Sequence, residues 1–150
     1  VDMDELMVRG TIENITWALG DKTAGADYQV IHGDASRLYQ LIPEEWRGRI
    51  SGVVLDPPYG RNSHGSQSHY ELINSTIMSC RRVVCETARL VLIVPIKPTV
   101  SDEITLLHGN WYDFSSMLNK AGIEIVNQWQ EHVHGSLSRL ILLASIAPLK

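Results

Sequence analysis

Short apolar runs alternating with stretches of helical period predict an α/β fold for this 150-residue chain, with a mostly parallel sheet closed by a C-terminal antiparallel hairpin. Three observations carry the prediction. Val53-Val54-Leu55 and the run from Arg89 to Pro95 have the unbroken aliphatic character of strands covered on both faces, the habit of parallel sheets. Asp2, Asp34 and Asp56 each stand at or just past the C-terminal end of an extended run, where open α/β sheets bind ligands. The last two apolar runs, 123–133 and 137–146, are joined by His134-Gly135-Ser136, a hairpin signal.

The elements are taken in chain order. Val1 to Asp4 reads as the last residues of a strand passing into a helix, with Asp4 as N-cap, Val8, Ile12, Ile15 and Leu19 at helical spacing and Gly20 as the stop. Tyr28 to His32 reads as a strand ending in Gly33-Asp34-Ala35, and Asp34 suits a cap ahead of Ser36-Arg37-Leu38. Residues 38–49 form a short amphipathic helix broken at Pro43. Arg61 to Ser68, small and polar, is expected to be a mobile loop over the site, with His64 and His69 as ordinary surface residues. The spacing of Leu72, Ile73, Ile77, Cys80, Val83 and Val84 predicts one long helix over 70–87, with Arg81-Arg82 on its wet side. A long loop, 97–110, precedes a helix over 111–121 that Gly122 ends.

Length and composition suit one ordinary soluble domain with a real core. Cys80 and Cys85 match neither zinc nor redox spacing and read as reduced thiols; His132 and His134 lack further ligands, so no metal is expected. No apolar run approaches membrane-spanning length, which points to the cytoplasm. The net charge of −4 argues against a stand-alone nucleic-acid binder, so most phosphate contact with an RNA substrate would come from elsewhere.

The chemistry concentrates in Asp56-Pro57-Pro58-Tyr59-Gly60. An exocyclic amine on a nucleobase is a poor nucleophile because its lone pair is conjugated into the ring. Alkylating it requires acceptors that hold the N–H groups and turn that pair outward. Asp56 supplies an acceptor-only carboxylate, and Pro57 and Pro58 present carbonyls without adding N–H donors. Tyr59 offers a flat face on which a base can stack, typically worth about 1–3 kcal/mol.

Asp-Pro-Pro-Tyr resembles the catalytic motif of S-adenosylmethionine-dependent amino-methyltransferases. The longer Asp-Pro-Pro-Tyr-Gly-Arg, continuing through Asn62 and Ser63, resembles the tRNA guanosine N2-methyltransferases of archaeal type. Asp2-Met3-Asp4-Glu5 and the closing segment from His134 to Arg139 look like the same family. The resemblance implies a Rossmann-like methyltransferase sheet, S-adenosylmethionine as cofactor and tRNA as partner. It implies Asp2 on the cofactor ribose, Met3 beside the adenine, and Asp34 with Ala35 on the adenine amine and ring. Asp56, Pro57, Pro58 and Tyr59 would be catalytic, with Asp56 also beside the cofactor, and Tyr59, Arg61 and Arg139 on the substrate side.

Two features of that family are absent. No Gly-x-Gly occurs, so the cofactor's glycine loop and the first strand are missing, as is the N-terminal RNA-binding region. Residues 1–150 are therefore expected to be a partial catalytic domain, from the second strand to the end. The chain would be a truncated product or one half of a split enzyme, completed by a second polypeptide or a second copy, since central strand edges are not left open. The alternatives are an adenine N6-methyltransferase of DNA or rRNA and a non-catalytic methyltransferase-like half that binds a partner subunit. A protein-glutamine methyltransferase is disfavoured by Asp rather than Asn at residue 56.

Overall fold

The computed structural model describes residues 1–20, 28–57, 69–99 and 103–149. Helix α1 (Glu5–Leu19) is followed by a 3₁₀ turn (Ala35–Arg37), α2 (Leu38–Leu41) and a second 3₁₀ turn (Glu44–Trp46). Then come β1 (Ile50–Leu55), α3 (His69–Cys80), β2 (Val84–Ile96), α4 (Trp111–Lys120), β3 (Ile123–His134) and β4 (Leu137–Ile146). The sheet order is β1-β2-β4-β3, with β1 parallel to β2 and the other two pairs antiparallel.

Period-2 patterning decides which face is covered. Leu90, Leu92, Val94 and Ile96 of β2, with Leu140, Leu142, Ala144 and Ile146 of β4, are buried against Ile73 and Ile77 of α3 and Phe114 and Leu118 of α4. Val53 and Leu55 pack on the same side. The intervening residues point the other way: Val91, Ile93, Ile141 and Leu143 are only half-buried, and Val54 is 71% exposed.

The expected strand before α1 survives as one parallel bridge between Asp2 and His32, in which Asp2 N–H donates to the Ile31 carbonyl (3.0 Å) and Gly33 N–H to the Asp2 carbonyl (2.8 Å). The expected strand over 28–32 is confined to that bridge, because the described residues offer Tyr28 to Val30 no ladder partner. Asp4 caps α1 as expected, its carboxylate accepting from Leu6 N–H at 2.8 Å, and Gly20 ends the helix at φ +51°. The amphipathic helix expected over 38–49 is one α-helical turn between two 3₁₀ turns, divided at Pro43 as anticipated.

The long helix expected over 70–87 is corrected. It stops at Cys80, the chain turns through 81–83, and Val84 opens β2, so Cys85 lies on a strand. Tertiary bonds override the helical period there. Arg81 donates from Nε to the Ala147 carbonyl (2.9 Å) and from a terminal nitrogen to the Ala121 carbonyl (2.8 Å). Leu149 N–H reaches the Arg81 carbonyl and Gly48 N–H the Val83 carbonyl. Arg82 lies 3.9 Å over the Tyr39 ring, which Arg47 also approaches. The pair expected on a wet face therefore ties four segments together.

Described residues of the 97–110 connection are held close to the sheet. Leu107 N–H donates to the Pro95 carbonyl, Lys97 N–H to the Thr105 carbonyl, and Leu106 bridges to Ile96. The Tyr70 hydroxyl is shared between the carbonyls of His108 and Asn110, both at 3.1 Å. Gly109, at φ +76°, lies against the hydroxyl end of Tyr70, so a Cβ would strike the phenol oxygen. Gly109→Ala is expected to lower stability by about 1–3 kcal/mol in chemical denaturation, through the left-handed φ and the clash, with Tyr70→Phe costing less, about 1 kcal/mol.

Burial pushes the Cys80 thiol up to about 11 from an ordinary 9.0. The unfolded chain releases this proton first, so the contribution of Cys80 to stability is present below pH 9 and is lost as pH rises toward 11. Native-state thiol titration is expected to modify half-buried Cys85 first and to leave Cys80 unreacted until unfolding.

Candidate active site

Asp56 follows directly on β1, whose last residue, Leu55, pairs with Leu92 of the central strand β2. Asp56 is an exposed residue and Pro57 is half-buried. Parallel pairing with β2 forces this end of β1 to open at the edge of the sheet rather than into a hairpin. Pro58, Tyr59 and Arg61, expected beside Asp56, lie outside the described residues, as do His64 and the expected mobile loop.

Asp2 and Asp34 are brought together by the parallel bridge. One oxygen of Asp2 accepts from Asp4 N–H (2.8 Å), and one of Asp34 from Ser36 N–H (2.8 Å), capping the 3₁₀ turn that Ala35 begins. Both carboxylates thus carry a structural role through one oxygen, and a carboxylate's second oxygen is a further acceptor. Met3 is 65% exposed, and its carbonyl accepts from His32 Nε2 at 2.9 Å.

Arg139 sits in β4 opposite Pro95 on one side and Glu131 on the other. Pro95 lies three residues beyond Leu92 along β2, so Arg139 stands at the end of the sheet where Asp56 stands, on the face away from α3 and α4. Its Nε is buried without a hydrogen-bond partner among the described residues. His132 and His134 contact the hydroxyls of Ser138 (3.5 Å) and Ser136 (3.3 Å), and no metal-holding cluster occurs among the described residues.

His69 departs from the expectation of an ordinary surface residue. It opens α3 half-buried, its ring 5.7 Å from that of His108, beside Val94, Pro95, Leu106 and Phe114. Burial first, and the neighbouring imidazole second, hold it below the usual histidine range, so the neutral ring is favoured. Nothing local in the sequence signals this pair, because the contact joins residues 39 positions apart across the end of β2.

No described helix is long and apolar enough to cross a membrane. No protein-family model and no curated protein sequence matches the chain. Among solved structures it is similar to crystal structures of TTHA0409 of Thermus thermophilus, a DNA modification methylase by assignment. The selenomethionine form matches with TM-score 0.53 at 20% identity, covering 79% of this chain and 52% of that one. The form complexed with S-adenosyl-L-methionine matches with TM-score 0.51 at 19% identity, covering 79% and 54%. The chain thus spans about half the length of these structures, and what it shares with them is the fold, which in this chain is a mixed α/β sheet with one parallel pair.

Proposed function

We propose that this chain is part of the catalytic domain of an S-adenosylmethionine-dependent methyltransferase acting on an exocyclic amine of a nucleobase. The observation that carries the reading is the position of Asp56-Pro57: an acceptor-only pair opening the connection after a parallel strand, in a sheet folded like that of a methylase.

The donor set fits the cofactor. Asp2 and Asp34 each keep one carboxylate oxygen for ribose hydroxyls or an adenine amine, and both are anchored at their other oxygen. Met3, exposed next to Asp2, supplies apolar cover. When bound, the cofactor supplies an electrophilic methyl group on a sulfonium. Asp56 and the Pro57 carbonyl accept the N–H groups of the target amine and aim its lone pair. The amine nitrogen would take the methyl carbon as the carbon–sulfur bond breaks and a neutral thioether leaves, and the nitrogen's surplus proton would pass to Asp56 or to water. Tyr59 stacks on the base, while Arg61 and Arg139 meet the nucleotide on the substrate side. Positioning and electrostatics supply the rate enhancement.

Guanosine N2 in tRNA is the target favoured by Asp-Pro-Pro-Tyr-Gly-Arg and the closing His134–Arg139 segment. Adenine N6 in DNA or rRNA is the second reading, within which the assignment of the Thermus neighbour to DNA modification favours DNA. The acidic balance of the chain leaves phosphate contact to a further domain or partner in either case.

Radiolabelled methyl transfer to bulk tRNA, rRNA and DNA, followed by nucleoside analysis, separates the two readings: N2-methylguanosine supports the first, N6-methyladenine the second, and the absence of label on any exocyclic base amine overturns the proposal. In protein isolated from its own cells, Asp56→Ala is expected to lower kcat by at least about a hundredfold. Asp2→Ala is expected to raise KM for S-adenosylmethionine about tenfold with a smaller change in kcat, as lost ground-state binding does.

A further inference from the structure

We infer that Arg47 and Arg82, stacked on Tyr39, form a phosphate-binding site that grips the sugar–phosphate backbone of a nucleic-acid substrate. The choice of a nucleic acid rests on the proposed reaction, whereas the anion site rests on geometry alone.

Two like charges are held on one ring. The guanidinium carbon of Arg47 lies 4.2 Å from the Tyr39 centroid and that of Arg82 3.9 Å from it. The backbone fixes all three residues: Tyr39 N–H donates to the Ser79 hydroxyl (3.3 Å), Arg82 N–H to the Ser79 carbonyl (3.2 Å) and Arg47 N–H to the Glu44 carbonyl (3.1 Å). Gly48 turns the chain after Arg47 at φ +73°. Its N–H donates to the Val83 carbonyl (2.8 Å), which ties that turn to the one carrying Arg82. A site assembled before its ligand arrives loses little freedom on binding.

The fold does not neutralise the two charges. Among the described residues their one ion pair is Arg47 with Glu44, at 3.9 Å and with the Glu44 side chain 89% exposed, the kind of pair that contributes little. Arg47 Nε is buried without a partner, and Arg82 makes no side-chain hydrogen bond or ion pair among the described residues. Arg81, its neighbour in the same turn, is by contrast engaged with two backbone carbonyls. Stacking occupies the flat face of a guanidinium and leaves its in-plane N–H groups free for the oxygens of a phosphate. Two such forks on one ring, with exposed Arg49 next to them, are a local exception to the net charge of −4.

Position selects a polymer as the ligand. Arg49 directly precedes β1 and Asp56 directly follows it, so the six residues of the strand set the two ends about 20 Å apart. A polynucleotide spans that distance, and a free phosphate does not. Groups this far from the reacting amine act on affinity and register instead of the chemical step, so Arg47 and Arg82 are binding residues.

The test is fluorescence anisotropy of labelled bulk tRNA and of duplex DNA, titrated over a range of salt with the protein as its own cells make it and without S-adenosylmethionine. For the nucleic acid that binds, Arg82→Gln is expected to weaken affinity about five- to tenfold and to make the dependence of log K on log salt shallower by about 0.7–0.9, the value of one phosphate contact. Lys120→Gln removes the same charge from an exposed position on α4 and should alter neither quantity. Glu44→Gln frees Arg47 of its carboxylate and should tighten binding about twofold. That gain cannot come from unfolding, so it decides the matter if Arg82→Gln lowers the melting temperature. Binding of neither nucleic acid, an unchanged salt slope in Arg82→Gln, an equal loss in Lys120→Gln, or no gain in Glu44→Gln would each overturn the inference. So would a site that takes up inorganic phosphate while Arg82→Gln leaves nucleic-acid binding intact. Methyl transfer is not read out, so failure of the proposed reaction and failure of this site are distinguishable.

Discussion

The parallel pairing of β1 with β2 is the constraint on which the rest depends. A parallel pair cannot be closed by a tight turn, so the chain leaves β1 through a long connection, returns along α3 and enters β2 from the opposite end of the sheet. That route has two consequences. It exposes Asp56 at the sheet edge instead of burying it in a hairpin, and it packs α3 against the buried alternation of β2 and β4.

The return into β2 is held by Arg81. A helix with a continuing apolar stripe has no local reason to stop at Cys80, and the following valines favour either helix interior or strand. The guanidinium decides it by donating to carbonyls after α4 and after β4, so the turn is stabilised by segments 40 and 66 residues away. At the other end of the sheet Tyr70 fastens the segment before α4 to the start of α3. The helix layer is therefore pinned at both ends.

The two faces of the sheet are energetically unlike. One is closed by interdigitating aliphatic side chains, the setting in which a truncation such as Leu92→Ala typically costs about 2–5 kcal/mol. The other is only half-buried at Val91, Ile93, Ile141 and Leu143, with Val54 exposed.

Local pattern by itself determined the α/β class, the closing hairpin over 123–146, α1 with its Asp4 cap, and the placement of three acids at strand ends, because periodicity and capping act over a few residues. The capping roles of Asp4 and Asp34 were legible for the same reason. Only the tertiary structure decided where α3 ends, that Cys85 belongs to a strand, that Arg81 and Arg82 bind distant carbonyls and Tyr39, and that His69 meets His108. It also decided which of two aliphatic faces is covered. Strands such as Leu90–Ile96 are apolar on both sides, so their sequence carries no sign of which side meets helices; that is set by the crossover of α3, a property of the whole chain.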